Sequence, residues 1–161
     1  MKTKVLLALA LLALASPAAA EIKKHPTANV EIDIPAGWTT NVKGENMILT
    51  DPTNDVAFIL VVSEAKDFKN VVGDLDKKLA NFATDIKWAN PKPEATKLNG
   101  MDALANRGAA KVSGKDANIG LVVVQTPSNK ILLVVVMVES SKYPAHKDEI
   151  QKLIASIKPS K

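Results

Sequence analysis

The sequence predicts an α+β domain in which two helices flank a central antiparallel sheet. Three observations lead to this class. Short segments that alternate apolar and polar residues, typical of half-buried strands, are separated by tight turns. Residues 68–86 then repeat apolar side chains every three or four positions, as an amphipathic helix does. A second stripe of this kind closes the chain, after the apolar segment 131–138.

The chain starts with the three regions of a signal peptide. Two lysines precede an unbroken apolar segment, residues 5–15, and three alanines follow a Ser-Pro pair. Eleven apolar residues are too few to span a bilayer, which takes about 20. The sequence therefore predicts that residues 1–20 are cleaved before Glu21 and that residues 21–161 form one periplasmic or secreted domain. Because the chain has no cysteine, we expect no lipid anchor.

Composition excludes several classes of protein. A hydrophobic content of 47% without cysteine excludes a disordered chain, a disulfide-stapled miniprotein and a cysteine-ligated metal protein. The net charge is +4, and loss of the leader would remove two of these charges. Arg107 is the one arginine, whereas phosphates and bases are recognised largely by arginine's forked guanidinium. We therefore expect no nucleic-acid partner.

The strands fall into two groups. The first group contains four predicted strands, at residues 30–34, 38–42, 47–50 and 56–62. The second group also contains four, at residues 96–98, 101–112, 119–124 and 131–138. Tight turns join neighbouring strands within each group, and Asn99-Gly100 is a strong hairpin signal. Strands joined in this way pair antiparallel.

Two helices complete the prediction. The first covers residues 68–86 and is stopped by Asn90–Pro93, because proline cannot continue a helix. The second opens at Pro144 and ends at Lys158-Pro159. Packing of both helices on the sheet predicts nine buried residues: Phe58, Leu60, Val62, Leu75, Leu79, Val123, Leu133, Val135 and Ile154.

Three motifs together resemble the PsbP/Mog-like fold, which includes small exported bacterial proteins of the DcrB and PsbP-like kind. They are the segment Ile32–Trp38, the turn Leu98–Ala103 and the closing segment Ala155–Pro159. The resemblance spans residues 28–158 and implies a central antiparallel sheet with flanking helices. It also implies an accessory, binding or assembly protein that is not an enzyme, and no functional residue of the family carries over.

The sequence contains no complete catalytic or metal-binding motif. The two histidines, His25 and His146, lie far apart in sequence, so we expect no metal site and a surface position for each. Ser63 and Lys66 match the Ser-x-x-Lys spacing of penicillin-recognising enzymes, but the accompanying Ser-Asp-Asn and Lys-Thr-Gly motifs are missing. The Asp51–Asp55 segment is similar to a calcium loop but lacks its glycine and bidentate glutamate, which favours a turn. The sequence predicts no catalytic residue and no cofactor.

The sequence offers three candidate binding residues. Arg107, surrounded by alanine and glycine on a predicted strand, could hold an anion, although a salt bridge at the rim is favoured. Trp38 and Trp88 could stack on a ligand, although a position that anchors the core is favoured for both. His146 on the last helix is the third candidate binding residue.

Three functions remain open. The leading hypothesis is a non-enzymatic accessory protein of the periplasm or exterior that binds a protein or an envelope component. The alternative is a protein that binds a small anionic or apolar ligand in a pocket between sheet and helix. A hydrolase that uses Ser63 or His146 is the third. A closed apolar pocket above roughly 300 Å³ would favour the small ligand, and a flat apolar patch would favour a larger partner.

Overall fold

The computed structural model describes residues 20–63, 71, 75 and 79–161. The signal peptide predicted at residues 1–20 therefore lies, except for its last residue, outside the described residues. Within the described ones the chain forms, in order, β1 (Glu21–Lys24), β2 (Val30–Ile34), β3 (Thr39–Lys43), β4 (Asn46–Thr50), β5 (Val56–Ser63), β6 (Thr84–Trp88), β7 (Glu94–Leu98), β8 (Met101–Val112), β9 (Lys115–Gln125), β10 (Ile131–Glu139), α1 (Tyr143–Ser156) and β11 (Lys158–Pro159).

A large antiparallel sheet confirms the central prediction. Its strands lie in the order β3-β4-β5-β10-β9-β8-β6, and β7 pairs with β8 beside β6. At the centre, β10 pairs along almost its whole length with β5 on one side and β9 on the other. Every residue from Ile131 to Val138 is buried, because both faces of this strand are covered. The apolar segment 131–138 is thus the interior strand that the sequence predicts.

The first predicted strand does not belong to the large sheet but to a second, smaller one. The described residues contain a three-stranded sheet with the order β1-β2-β11. Lys158 and Pro159, which we expected only to end the last helix, form β11 and pair with Glu31 and Val30 of β2. Alternation along β2 identifies a strand with one buried face, but it carries no information about which strands lie beside it.

Two apolar clusters cover the two faces of the large sheet. On one face, α1 and the small sheet pack against β4, β5 and β10. On the other face, Val71, Leu75 and Leu79 pack against side chains of β5, β9 and β10. Eight of the nine predicted core residues are buried; the ninth, Ile154, is only partly buried.

The first predicted helix is too long. Residues 84–88 form the strand β6 rather than a helical turn. The backbone amides of Phe82 and Ala83 donate to the carbonyl of Leu79, and Phe82 remains 43% exposed. Ile86 matched the helical spacing by coincidence, since a short edge strand also presents isolated apolar side chains. Residues 68–70, 72–74 and 76–78 of this predicted helix lie outside the described residues, so a second flanking helix is not shown.

The helix α1 lies near the C-terminus and contains Pro144 in its first turn, as predicted. The predicted Asn99-Gly100 hairpin turn adopts positive φ angles of 47° and 85°. Its asparagine also donates to the carbonyl oxygens of Ala155 and Ile157, both at 2.7 Å. This turn therefore satisfies carbonyls that the end of α1 leaves unpaired. In the part of the chain that the structure describes, no helix is long and apolar enough to cross a membrane.

Candidate functional site

One face of the large sheet is covered unevenly. Near β5 and β10, α1 and the small sheet bury the side chains completely. Further out, on β8 and β9, the side chains of the same face stay half-buried or exposed. Ala105 and Val122 are cross-strand partners there, as are Ala109 and Asn118. Directly opposite residues of an antiparallel pair point to the same side of the sheet, so these four share the face on which α1 lies.

An open groove of about 800 Å³ lies where the covered and uncovered halves of this face meet. Its floor comes from β8, β9 and β10 and includes Ala105, Ala109, Gly120 and Val122. Its wall is α1, which contributes Tyr143, Ile150 and Ile154. Ile154 thus lines a groove, and this explains why it is less buried than the sequence predicts.

Small residues create this groove. A Cβ atom built on Gly120 would lie 3.9 Å from the Cβ of Val136, which is the nearest atom outside Gly120 and its two chain neighbours. That distance is an ordinary van der Waals contact, so the glycine is not required by a close approach of the backbone. Ala105 and Ala109 likewise project only a methyl group from the floor. The uncovered face is therefore concave because its side chains are short.

The charged residues that line the groove are both basic. Arg107 is the ladder partner of Gly120, and Lys87 on β6 is the partner of Ala109. Across the described residues the guanidinium of Arg107 has no hydrogen-bond or ion-pair partner. The bonded groups of Arg107 are those of its backbone: the amide donates to Asn106 Oδ1 at 2.9 Å, and the carbonyl accepts from the amide of Ala89 at 2.7 Å. The rim salt bridge that the sequence favours for Arg107 is not formed among the described residues. This cation is exposed beside an apolar floor.

Trp88 lies on the opposite side of the sheet. It faces Gly108 in the β6–β8 ladder and packs, partly buried, against the cluster that contains Leu79. A Cβ on Gly108 would come within 2.3 Å of the backbone oxygen of Lys87, so only glycine permits β6 to approach β8 this closely. The register shift of this pair occurs in β6, between Thr84 and Lys87, and not at Gly108. Trp88 and Arg107 are thus not brought together.

His146 belongs to a separate polar cluster at the N-terminal part of α1. Its Nε2 lies 3.6 Å from Asp55 Oδ2, and its Nδ1 lies 3.5 Å from Glu149 Oε2. Glu149 also accepts a hydrogen bond of 2.9 Å from the indole nitrogen of Trp38, which is buried as expected. These contacts hold α1 to the start of β3 and to the turn between β4 and β5. No sequence signal links these segments, because they meet only after the sheets have packed.

Asp51 brings a further carboxylate close to this cluster. One oxygen each of Asp51 and Asp55 and a ring nitrogen of His146 lie within 4.8 Å of one another, a set that could ligate a metal ion. The carboxylate of Asp51, however, accepts hydrogen bonds from the amides of Val56 (2.7 Å) and Thr53 (3.0 Å) and from the Thr53 hydroxyl. Burial opposes ionisation of Asp51, but these donors and nearby His146 outweigh it and lower the pKa of the carboxyl group. Asp51 therefore organises a turn, as the sequence favours.

His25 is buried, which contradicts the expected surface position. It is 4% exposed, and its Nδ1 accepts a hydrogen bond of 3.3 Å from the amide of Ala28. Burial lowers the pKa of His25, although the backbone and charge of Glu45 act in the opposite direction. His25 thus closes the turn between β1 and β2. The sequence does not predict this turn, because β1 is polar and has no hydrophobic pattern.

Comparison with known proteins identifies the fold. No family model and no curated protein sequence matches the chain. Among solved structures, cyanobacterial PsbP (CyanoP) from Synechocystis matches with a TM-score of 0.65 and 13% identity over 89% of this chain and 94% of that one. LpqN, involved in cell envelope biogenesis of Mycobacterium tuberculosis, matches with a TM-score of 0.60 and 12% identity over 82% and 83% of the two chains. The Ran-binding protein Mog1p of Saccharomyces cerevisiae matches at 0.54 and 10% over 86% and 95%.

The chain therefore has a PsbP/Mog-like fold, which confirms the resemblance carried by the sequence motifs. At these levels of identity the similarity concerns the path of the backbone. A shared fold does not assign an activity, which has to be argued from the site.

Proposed function

We propose that this protein is a non-enzymatic, exported accessory protein that binds a protein or an envelope component in the groove between β8, β9 and α1. One observation carries the proposal: among the residues that the structure describes, an apolar, concave sheet face is left open and bears an arginine whose guanidinium has no partner. A concave, mostly apolar surface with a few well-placed charged groups is the usual form of a binding site. The structural neighbours support it, since Mog1p is a Ran-binding protein and LpqN is involved in cell envelope biogenesis.

Export is the second part of the proposal. Its support is the leader at residues 1–20, with cleavage before Glu21 and release to the periplasm or the exterior. We also propose that the helical residues Leu75 and Leu79 belong to a second flanking helix. Their burial against β9 and β10 supports this, because an amphipathic helix has to cover that face of the sheet.

The absence of catalysis is the third part. Ser63 is 3% exposed, so a substrate could not reach it as a nucleophile without opening the core. Lys66, its partner in the Ser-x-x-Lys pattern, lies outside the described residues. The imidazole of His146 faces the carboxylates of Asp55 and Glu149 rather than a hydroxyl group, which does not suit a hydrolase triad.

The three candidate binding residues take different roles in this proposal. Arg107 contacts the bound partner, because it is exposed at the groove. Trp88 acts from the other face by fixing β6 on β8, which sets the position of Lys87. His146 acts by holding α1, the wall of the groove, to the turn that contains Asp55.

Complementation of a deletion strain tests the proposal. We expect Gly120→Leu, which fills the groove, and Arg107→Gln to lose the function of the gene while the protein stays folded and abundant. Gly120→Ala is the matched control and should complement fully, because its methyl group meets only an ordinary contact. Ser63→Ala and Lys66→Ala should also complement. Loss of function in the Ser63 or Lys66 variant, with Gly120→Leu active, would support the hydrolase instead.

A further inference from the structure

We propose that the groove binds a single-chain amphiphilic anion, with its hydrocarbon chain along the floor and its anionic head group between Arg107 and Lys87. This inference rests on the proposed function and specifies the occupant of the same groove. It requires an apolar floor, a cation at one side and no competing acid. The groove meets all three requirements.

The size and chemistry of the floor suit one hydrocarbon chain. The volume of about 800 Å³ lies within the range of roughly 300–1,000 Å³ that is usual for small-molecule sites. Ala105, Ala109, Gly120 and Val122 offer no side-chain hydrogen bonds, so a polar ligand resting on them would lose hydration without compensation. A methylene chain has no such cost.

The backbone of the floor argues against an extended peptide as the occupant. The central strand of the floor, β9, pairs with β8 on one side and with β10 on the other. Its amide and carbonyl groups are therefore taken up by the sheet, and this part of the groove has no free strand edge. A peptide lying there would leave its own backbone groups unpaired, which is costly away from water. An acyl chain has no backbone groups to satisfy.

The two cations are placed to share one anion. Lys87 faces Ala109, and Arg107 precedes Ala109 by two positions on the same face of β8. Diagonal neighbours of this kind lie roughly 7–8 Å apart, with their Cβ atoms somewhat closer, a gap that one carboxylate or phosphate group can bridge from both sides. No acidic residue lines the groove among the described residues. The forked guanidinium of Arg107 fits either anion in bidentate geometry.

Direct binding of a fluorescent probe tests this inference on the purified chain. We expect 11-(dansylamino)undecanoate to bind with a blue-shifted emission at concentrations below micelle formation. Dodecanoate and dodecyl phosphate should displace it, and the stronger of the two identifies the head group as a carboxylate or a phosphate. Dodecanol, which lacks the charge, should compete at least about tenfold more weakly, and inorganic phosphate, which lacks the chain, should not compete.

Variants locate the site. Arg107→Gln should weaken the probe about tenfold, whereas Lys43→Gln on β3, at the far edge of the sheet, should leave the affinity unchanged. Gly120→Leu should abolish binding, and Gly120→Ala should retain it. If the Gly120→Leu protein fails to fold by circular dichroism, Ala109→Leu fills the floor from β8 and should give the same loss.

Four results would overturn the inference. Three are no binding of the probe, equal binding by the filled variants, and competition by dodecanol as strong as that by dodecanoate. The fourth is displacement of the probe by an acidic amphipathic helical peptide more strongly than by dodecanoate, which would favour a protein ligand. If the wild type binds no amphiphile but Gly120→Leu still fails to complement, only the identity of the occupant is wrong. If the amphiphile binds and Gly120→Leu complements, the groove is a lipid site but the proposed function is wrong.

Discussion

Alanine substitutions at Leu79 and Phe82 distinguish the observed structure from the helix that the sequence pattern predicts. The pattern puts Leu79 and Phe82 on one buried helical stripe, whereas in the structure Leu79 is 4% exposed and Phe82 is 43% exposed. Leu79→Ala should therefore be strongly destabilising. Phe82→Ala serves as its matched control, three residues away.

The magnitude follows from the surroundings of Leu79. Buried leucine-to-alanine changes cost about 2–5 kcal/mol, and the cost depends on how far the site can collapse. Leu79 packs against side chains of a sheet whose central strands pair on both sides, so the backbone cannot close the cavity. We expect about 3 kcal/mol for Leu79→Ala. Phe82→Ala should cost less than about 1 kcal/mol, because much of the ring is already in water.

Urea unfolding of residues 21–161, followed by far-UV circular dichroism, measures both values. For a domain of this size, each kcal/mol lowers Tm by about 4 °C, so Leu79→Ala should melt roughly 10–12 °C below the wild type. Equal losses of unfolding free energy for the two variants would mean that both side chains are buried on one helical face. They would contradict the structure, in which the helical segment ends before β6. A loss under about 1 kcal/mol for Leu79→Ala would mean that this segment does not pack on the sheet.

Three further predictions concern single positions. Gly108→Ala should destabilise by at least about 2 kcal/mol, since its Cβ would meet the Lys87 backbone at 2.3 Å, while Gly120→Ala stays near neutral in the same melts; equal melting temperatures would contradict this. The pKa of Asp51 is lowered in the folded state, so the contribution of this carboxylate to stability is complete above its ordinary pKa of 3.8 and is lost as the pH falls through the folded pKa. Between pH 7 and 3, the urea midpoint should therefore drop more steeply for the wild type than for Asp51→Asn. Parallel curves for the two proteins would argue against this contribution of Asp51. Mass spectrometry of the exported chain should find Glu21 at its N-terminus, and a chain that retains the leader would refute export with cleavage.

Periodicity predicted most of the large sheet because each strand carries its own local signal. The segments 47–50, 56–62 and 131–138 alternate or run apolar, and each matches a strand of this sheet to within a residue or two. The Asn99-Gly100 turn was equally readable, since few dipeptides tolerate its two positive φ angles. Local signals of this kind need no knowledge of the partner strand.

Elements defined by their partners could not be predicted. The strand β1 (Glu21–Lys24) is almost entirely exposed, and β11 is two residues long, so neither has a hydrophobic pattern of its own. Both exist because β2 offers them an edge. The same reasoning applies to β6, where only the ladder to β8 distinguishes a strand from a continued helix.

The candidate site was half predictable. Arg107 stood out in the sequence because it is the one arginine and has small neighbours. The alanines and the glycine around Arg107 are compatible with a groove in the sheet face. Short side chains form a groove, however, only where no second layer packs on that face. That boundary depends on where α1 packs. The Asp51, Asp55 and His146 cluster also depends on packing, as its members come from distant segments.

Site-specific photocrosslinking in the living cell tests the central claim, that the groove is the binding site. A photoreactive phenylalanine analogue replaces Tyr143, an aromatic residue of similar size in the wall of the groove, and, as the control, the exposed Val42 on β3. We predict a discrete adduct, either a protein or a lipid-sized mass, at Tyr143 and not at Val42, and its loss when Gly120→Leu is added to the same chain. An adduct at Val42 alone, or one at Tyr143 that persists with Gly120→Leu, would contradict the account.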